Sequence, residues 1–241
     1  MSLVAWNCQG VGSLSTIPDL KYLVGHFNSD LLFLSETLVH RNKIEELRFL
    51  LGYDCCFPID RIGRGGGLAL FWRDSLNCQL IDFSNIHITV EIVDSIIGTR
   101  RMTDYYDYPN GGRRTAAWTF LRQLSNQFAG PWCIFGDLND ILNASEKRGR
   151  NNRSQWLVNG FHQAVLDSGL SDVSTEGYPY TWFKSLGTPH AVEERLDRAL
   201  ANNLWFTLFP NASIETLVAP ASDHYPILLN RNPLPRPHLH Q

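Results

Sequence analysis

With 241 residues, 44% of them hydrophobic and 19% charged, the chain can bury one large core without dividing into domains. No apolar run approaches the roughly 18 residues that cross a bilayer, so a membrane protein is not expected. The formal net charge of −3 argues against wholesale electrostatic attraction to nucleic acid and leaves any such contact to local patches.

In chain order, Ser2-Leu3-Val4-Ala5-Trp6 runs at once into the polar segment WNCQG, which predicts a strand over Leu3–Trp6 and no signal peptide. Pro18 fits the first turn of a helix whose apolar side carries Leu20, Leu23, Val24 and Phe27. Strands are predicted at Leu31–Leu34, Gly67–Trp72 and His87–Val93 from their length and apolar content. In YYDYPN, Pro109 and Asn110 end a further strand. Trp118, Leu121, Leu124 and Phe128 mark a second helical face, and Trp132–Phe135 the next strand. Leu157, Phe161, Ala164, Val165 and Ser168 mark a third helix ending at Gly169. Ile227–Leu229 is the last strand, which puts one domain over residues 1–230 and leaves a Pro-rich tail over 231–241.

Runs such as Ala69-Leu70-Phe71-Trp72 are apolar at successive positions, so both faces of those strands must be covered. The pattern predicts an α/β protein in which two sheets pack face to face with helices outside. Five cysteines without CxxC spacing, Cys8, Cys55, Cys56, Cys78 and Cys133, read as reduced, mostly core thiols. Basic residues gather at Lys147, Arg148, Arg150 and Arg153 and in the pairs Arg61/Arg64, Arg100/Arg101 and Arg113/Arg114, each of which taken singly reads as a solvated turn.

The chemistry-bearing residues follow apolar strands. Asn7 comes after the first, where an Asx-type turn is the plainer reading. Glu36 emerges from Leu31-Leu32-Phe33-Leu34-Ser35, either as the start of a helix or as a charge at the carboxyl end of a buried strand, where α/β folds place ligands. In GDLND, Asp137 and Asn139 flank Leu138 and point to the same side of an extended segment. An anionic group that orients water beside a hydrogen-bond donor is what phosphodiester hydrolysis requires. Ser222-Asp223-His224 precedes the last strand, and Asp197 is a carboxylate able to fix the tautomer of that histidine. The absence of GxSxG disfavours a serine hydrolase, and the absence of HExxH or a Cys/His cluster disfavours zinc. Hard oxygen ligands at Glu36, with Asp223 nearby, suit magnesium or manganese. Gly63-Arg64-Gly65-Gly66-Gly67 lacks the Lys-Ser/Thr of a P-loop and reads as a turn entering a strand.

Taken together, SLVAWNCQG, LFLSET, GGGLALFW, YYDYPN, GDLND, YTW, EERLDRALAN and SDHYPILL resemble the endonuclease/exonuclease/phosphatase superfamily along nearly the whole chain. The nearest resemblance is to the endonuclease domain of plant LINE-type, non-LTR retrotransposons. It implies a DNase I-like four-layered α/β sandwich with two mixed, mostly antiparallel sheets. It also implies Mg2+-dependent, or Mn2+-dependent, hydrolysis of DNA that leaves a 3′-hydroxyl. By matching motif, Glu36 is implied as the principal metal ligand, with Asp223 a second acidic group near the metal. Asp137 is implied to direct water, His224 to act with Asp197 as its partner, and Tyr106 to be the active-site tyrosine. Asn139 and Asn7 are implied as phosphate contacts, with Thr181 and Ser222 as polar positions lining the site. The segment Phe183 to Val192 corresponds to a hairpin that helps select the DNA target. Asp107 stands where related plant elements usually carry glycine, and a negative charge there weakens phosphate binding. Gln9 stands where some relatives place a carboxylate.

Two other readings stay open at this point. One is a phosphatase or phosphodiesterase acting on a small phosphorylated molecule or lipid; the other is a silent relic that binds nucleic acid. The expectation is a monomeric intracellular protein with DNA as its partner, nuclear if chromosomal DNA is the target.

Overall fold

A computed structural model describes residues 2–13, 15–63, 65–107 and 114–230. Arg64, Arg113, the strand end expected at Pro109 and Asn110, and the 231–241 tail lie outside the described residues.

The chain begins with β1 (Ser2–Asn7), α1 (Thr16–Phe27), β2 (Leu31–Ser35), α2 (Arg41–Leu51), β3 (Cys55–Ile59) and β4 (Leu68–Trp72). The meander β5 (Cys78–Ser84), β6 (His87–Asp94) and β7 (Gly98–Tyr106) follows, and α3 (Arg114–Ser125) leads on to β8 (Trp132–Asp137). Next come β9 (Lys147–Gly149), α4 (Gln155–Asp167), β10 (Leu170–Asp172), β11 (Thr175–Glu176) and β12 (Trp182–Lys184). The last elements are β13 (Val192–Glu194), β14 (Asp197–Asn202), α5 (Asn203–Leu208), β15 (Ser213–Thr216) and β16 (Ile227–Asn230).

One sheet has the order β11-β15-β16-β1-β2-β4-β3, the other β10-β14-β8-β7-β6-β5, and β12-β13-β9 forms a small third ladder. The pairs β1/β2, β11/β15 and β7/β8 are parallel and the other ladders antiparallel. Both large sheets are therefore mixed and mostly antiparallel, as expected.

The strict alternation of side chains along a strand explains the unbroken apolar runs. In β1, Leu3 and Ala5 enter the core between the sheets, while Val4 and Trp6 pack with Leu20 and Leu23 of α1 and Ile44 and Leu47 of α2. In β8, Cys133 and Phe135 face the same inner core, and Ile134 packs outward against Trp118 of α3 and Phe161 of α4. Phe33 and Phe135 meet edge to face across the two sheets, with centroids 6.3 Å apart. The result is the four-layered α/β sandwich: helices, sheet, sheet, helices.

Two expectations are corrected. The outer-layer helix α3 ends at Ser125, so Phe128 lies beyond it, although its ring still packs on the same outer cluster. Arg100 is no solvated turn residue: it lies within β7, 1% exposed, 3.9 Å from Asp94 and over the ring of Phe209.

Candidate active site

The parallel pairs of the two sheets end at the same edge of the sandwich, which brings polar residues from distant segments together. Asn7 at the end of β1 is in register with Ser35 of β2, next to Glu36. Tyr106 at the end of β7 is in register with Asp137 of β8, and Asp137 in turn with Asp197 of β14. A carboxylate after a buried apolar strand is thus delivered to the rim because the strand can go no further without meeting water.

The backbone is bent to achieve this. Glu36 has φ 51° and Leu38 φ 56°, both left-handed for side-chain-bearing residues. The glycine-rich turn holds that bend: Thr37 N–H donates to Gly67 O and Leu38 N–H to Gly66 O. A Cβ at Gly67 would sit 2.4 Å from Thr37 Oγ1. Gly66 and Gly67 thus lead into β4, as read from sequence, while bonding the backbone just after Glu36. Across the cleft, a Cβ at Gly136 would stand 2.2 Å from the carbonyl oxygen of Tyr105, which explains the glycine that opens GDLND.

Two groups of side chains face each other. On one side, Tyr106 Oη donates to Glu36 Oε1 at 2.6 Å. Asn7 Nδ2 donates both to Glu36 Oε1 at 3.2 Å and to Asp137 Oδ2 at 3.1 Å, linking the halves. On the other side, His224 Nδ1 meets Asp197 Oδ2 at 2.9 Å, which leaves Nε2 3.8 Å from Asp137 Oδ2 and 4.0 Å from Asp223 Oδ1. Asp137 Oδ1 accepts from the Asn139 backbone N–H at 3.0 Å, and the Asn139 side-chain amide donates to Asp107 O at 2.7 Å. Asp223 receives Gln9 Nε2 at 2.5 Å and Trp182 Nε1 at 3.0 Å.

Burial and the mutual charges of its members set the protonation of this group. Asp137, 2% exposed, is pushed up to about 7 first by desolvation and further by Asp197, against the stabilising pull of His224, Asn7 and the Asn139 N–H. Desolvation works to lower His224, but Asp197, Asp137 and Asp223 together raise it to about 10. Asp223 is raised by burial, with the charge of Glu36 adding to it.

Thr181 and Ser222 lie behind the rim. Thr181 Oγ1 accepts the N–H groups of Leu196 at 3.0 Å and Asp197 at 2.8 Å, and Ser222 Oγ donates to Asn7 O and accepts His224 N–H. Both are buried, so they position Asp197, Asn7 and His224. Trp6 Nε1 adds a 2.9 Å bond to His224 O from below, a contact no sequence spacing signals.

A cavity of about 310 Å³ opens on this centre, lined by Gln9, Glu36, Arg114, Asp137, Asn139, Arg153, Trp182, Glu194, Leu196 and His224. Trp182, Glu194 and Leu196 carried no sequence assignment, although YTW and EERLDR held them. The basic spots are corrected here too: Arg114 is 4% exposed and paired with Asp107, and Lys147 and Arg153 both pair with Glu194. Arg148 and Arg150 are exposed, as expected.

The donor set suits a hard cation. Glu36 and Asp223 supply carboxylate oxygens, and the buried Oδ1 of Asn7, whose amide nitrogen already binds Glu36, has no hydrogen-bond partner. Asp137, Asp197 and His224 also present ligand atoms within 4.8 Å of one another. The direct Asp197–His224 bond spends that second group on holding the imidazole.

A sequence model of the Endonuclease/Exonuclease/phosphatase family matches residues 4–224. No curated protein matches the chain. Among solved structures, the endonuclease domain of TRAS1, a telomere-specific non-LTR retrotransposon, superposes with TM-score 0.72 at 14% identity, covering 95% of this chain and 97% of that one. The 3′ phosphatase NExo from Neisseria, bound to a product DNA hairpin, gives 0.71 at 19% identity, with 95% and 98% covered. The AP endonuclease LMAP from Leishmania major gives 0.72 at 14% identity, with 95% and 86% covered. At these identities the likeness is one of fold, and the fold is DNase I-like.

Proposed function

The chain belongs to the endonuclease/exonuclease/phosphatase family, and on that footing we propose that it is a metal-dependent endonuclease that nicks DNA, in the manner of a retrotransposon target-cleaving domain. The observation that carries the reading is the face-to-face pairing of a Glu36-centred oxygen cluster with a buried Asp137–His224–Asp197 group across one cavity. Glu36, Asp223 and Asn7 would hold Mg2+, with Mn2+ as a substitute. When bound, the cation supplies charge neutralisation for a phosphate and its leaving oxygen.

The chain's own residues do the rest. Asp137, anchored by Asn7 and the Asn139 N–H, orients and deprotonates water. His224 donates its Nδ1–H to Asp197 and is kept as an imidazolium by Asp197, Asp137 and Asp223, so it also carries a proton on Nε2 and neutralises charge on a non-bridging phosphate oxygen. Tyr106 fixes Glu36, and Asn139 lines the phosphate side of the cavity. Thr181 and Ser222 act one layer back, through Asp197 and His224. The hairpin from Phe183 to Val192 stands beside the cleft through Trp182, where it would read the target.

DNA is the proposed partner, bound by a monomer, and the nucleus is the proposed location if the target is chromosomal. No helix among the described residues is long and apolar enough to cross a membrane. The second reading is a phosphatase, favoured by the fold's likeness to a 3′ phosphatase. Parallel assays separate the two: plasmid nicking without release of inorganic phosphate from small phosphomonoesters supports the nuclease. Phosphate release without nicking replaces it with the phosphatase.

A further inference from the structure

A second set of charges shares the cavity wall and takes no part in the chemistry above. Arg114, the first residue of α3, and Arg153, just before α4, both line the cavity. Arg114 Nη1 lies 3.2 Å from Asp107 Oδ2 and 3.8 Å from Asp140 Oδ1. Arg153 lies 3.5 Å from Asp140 Oδ1 and 2.8 Å from Glu194 Oε2, and Lys147 pairs with the other oxygen of Glu194. The six residues form one string of alternating sign, from Asp107 through Arg114, Asp140, Arg153 and Glu194 to Lys147.

Among the described residues of this string, Asp107 is the carboxylate nearest Arg114. Removing its charge leaves Arg114, among the described residues of the string, to the more distant Asp140, which it shares with Arg153. Arg114 is also incompletely satisfied, since it is 4% exposed and its Nε has no hydrogen-bond partner. A guanidinium that lines a cavity and is held there by one nearby carboxylate is suited to a tetrahedral oxyanion that takes that carboxylate's place.

We propose that Arg114 is a seat for a substrate phosphate next to the one being cleaved, and that Asp107 masks it. Phosphate binding at this seat exchanges one anion for another, so Asp107 holds the grip on a nucleic-acid backbone below what the cleft would otherwise reach. The proposal rests on the phosphodiesterase reading of the same cavity. A purely structural Asp107–Arg114 pair would, when broken, change stability and leave phosphate affinity where it was.

The test uses Asp107→Asn, which keeps the shape and removes the charge, with Asp107→Ser as a second variant. In EDTA, where cleavage is stopped, affinity for inorganic phosphate and for a DNA duplex is measured over a range of salt, with thermal unfolding as the check on folding. Masking predicts phosphate and duplex binding about five- to tenfold tighter in the variants. It also predicts a slope of log affinity against log salt steeper by about 0.9, one added phosphate contact. Unchanged or weaker phosphate affinity in the folded variants overturns it, even if the wild-type protein nicks DNA and the nuclease reading stands. Tighter phosphate binding by variants of a protein that neither binds nor nicks DNA upholds the masking while the nuclease reading fails.

Discussion

Tyr106 donates a 2.6 Å hydrogen bond from the end of β7 to Glu36, one residue past the end of β2, so that a hydroxyl ties the polar edge of one sheet to that of the other. The bond places the Glu36 carboxylate between Tyr106 and Asn7. Tyr106→Phe is expected to lower the nicking rate about 100-fold, the scale for losing one preorganised donor. Stability should fall by only about 1 kcal/mol. An unchanged rate, read by single-turnover nicking, would remove Tyr106 from the site.

Asp197 should act mainly by holding His224, beside the smaller push its charge gives Asp137. Asp197→Asn places an amide beside Nδ1 and permits the wrong tautomer, so kcat is expected to drop by about 10³ to 10⁴ with KM little altered. Equal losses in kcat and thermal stability would instead mark Asp197 as a packing residue.

Gly67 tests whether the glycine-rich turn serves Glu36. Its φ is +91° and an added Cβ meets Thr37 Oγ1 at 2.4 Å, whereas a Cβ at Gly65 meets nothing within 4 Å. Gly67→Ala should cost about 1–3 kcal/mol and raise the magnesium concentration needed for half-maximal nicking. Gly65→Ala should do neither, and identical behaviour of the two variants would refute the link.

How much of this was legible in the sequence depended on burial. The inner strands β1, β2, β4 and β8 declare themselves because both faces are covered, which leaves unbroken apolar runs such as Leu31-Leu32-Phe33-Leu34. Helix α2 did not, because only Ile44, Leu47 and Leu51 of its polar sequence are buried. β5 escaped for the same reason, with Leu80, Ile81 and Phe83 all exposed. Asn7, Glu36 and Asp137 were legible as polar residues ending apolar strands. What the sequence does not carry is which way a hydroxyl turns, so Thr181 and Ser222 read as lining the site although they brace it from behind. Nor does it pair charges distant in space, so Arg100 and Arg114 read as solvated.

Asp104 gives a pH prediction away from the site. It alternates along β7 with Met102 and Tyr106, both in the inter-sheet core, and neither carboxyl oxygen has a hydrogen-bond partner. Burial pushes its carboxyl well above the ordinary value of 3.8. The folded state thus favours the protonated form, and stability is lost as pH rises above that ordinary value toward the folded one. Asp104→Asn should gain on the wild type as pH rises, with a slope of at most about 1.4 kcal/mol per pH unit. Denaturant unfolding across acidic to neutral pH reads the difference, and a gap independent of pH would contradict it.

The central claim is that Glu36 and His224 work on opposite sides of one phosphodiester. Conversion of supercoiled plasmid to open circle is followed with magnesium and with EDTA, for the wild type and for Glu36→Ala, His224→Ala and the double variant. The account predicts magnesium-dependent nicks with extendable 3′-hydroxyl ends, abolished by EDTA and by each substitution. Wild-type nicking no faster than that of the folded double variant would contradict it.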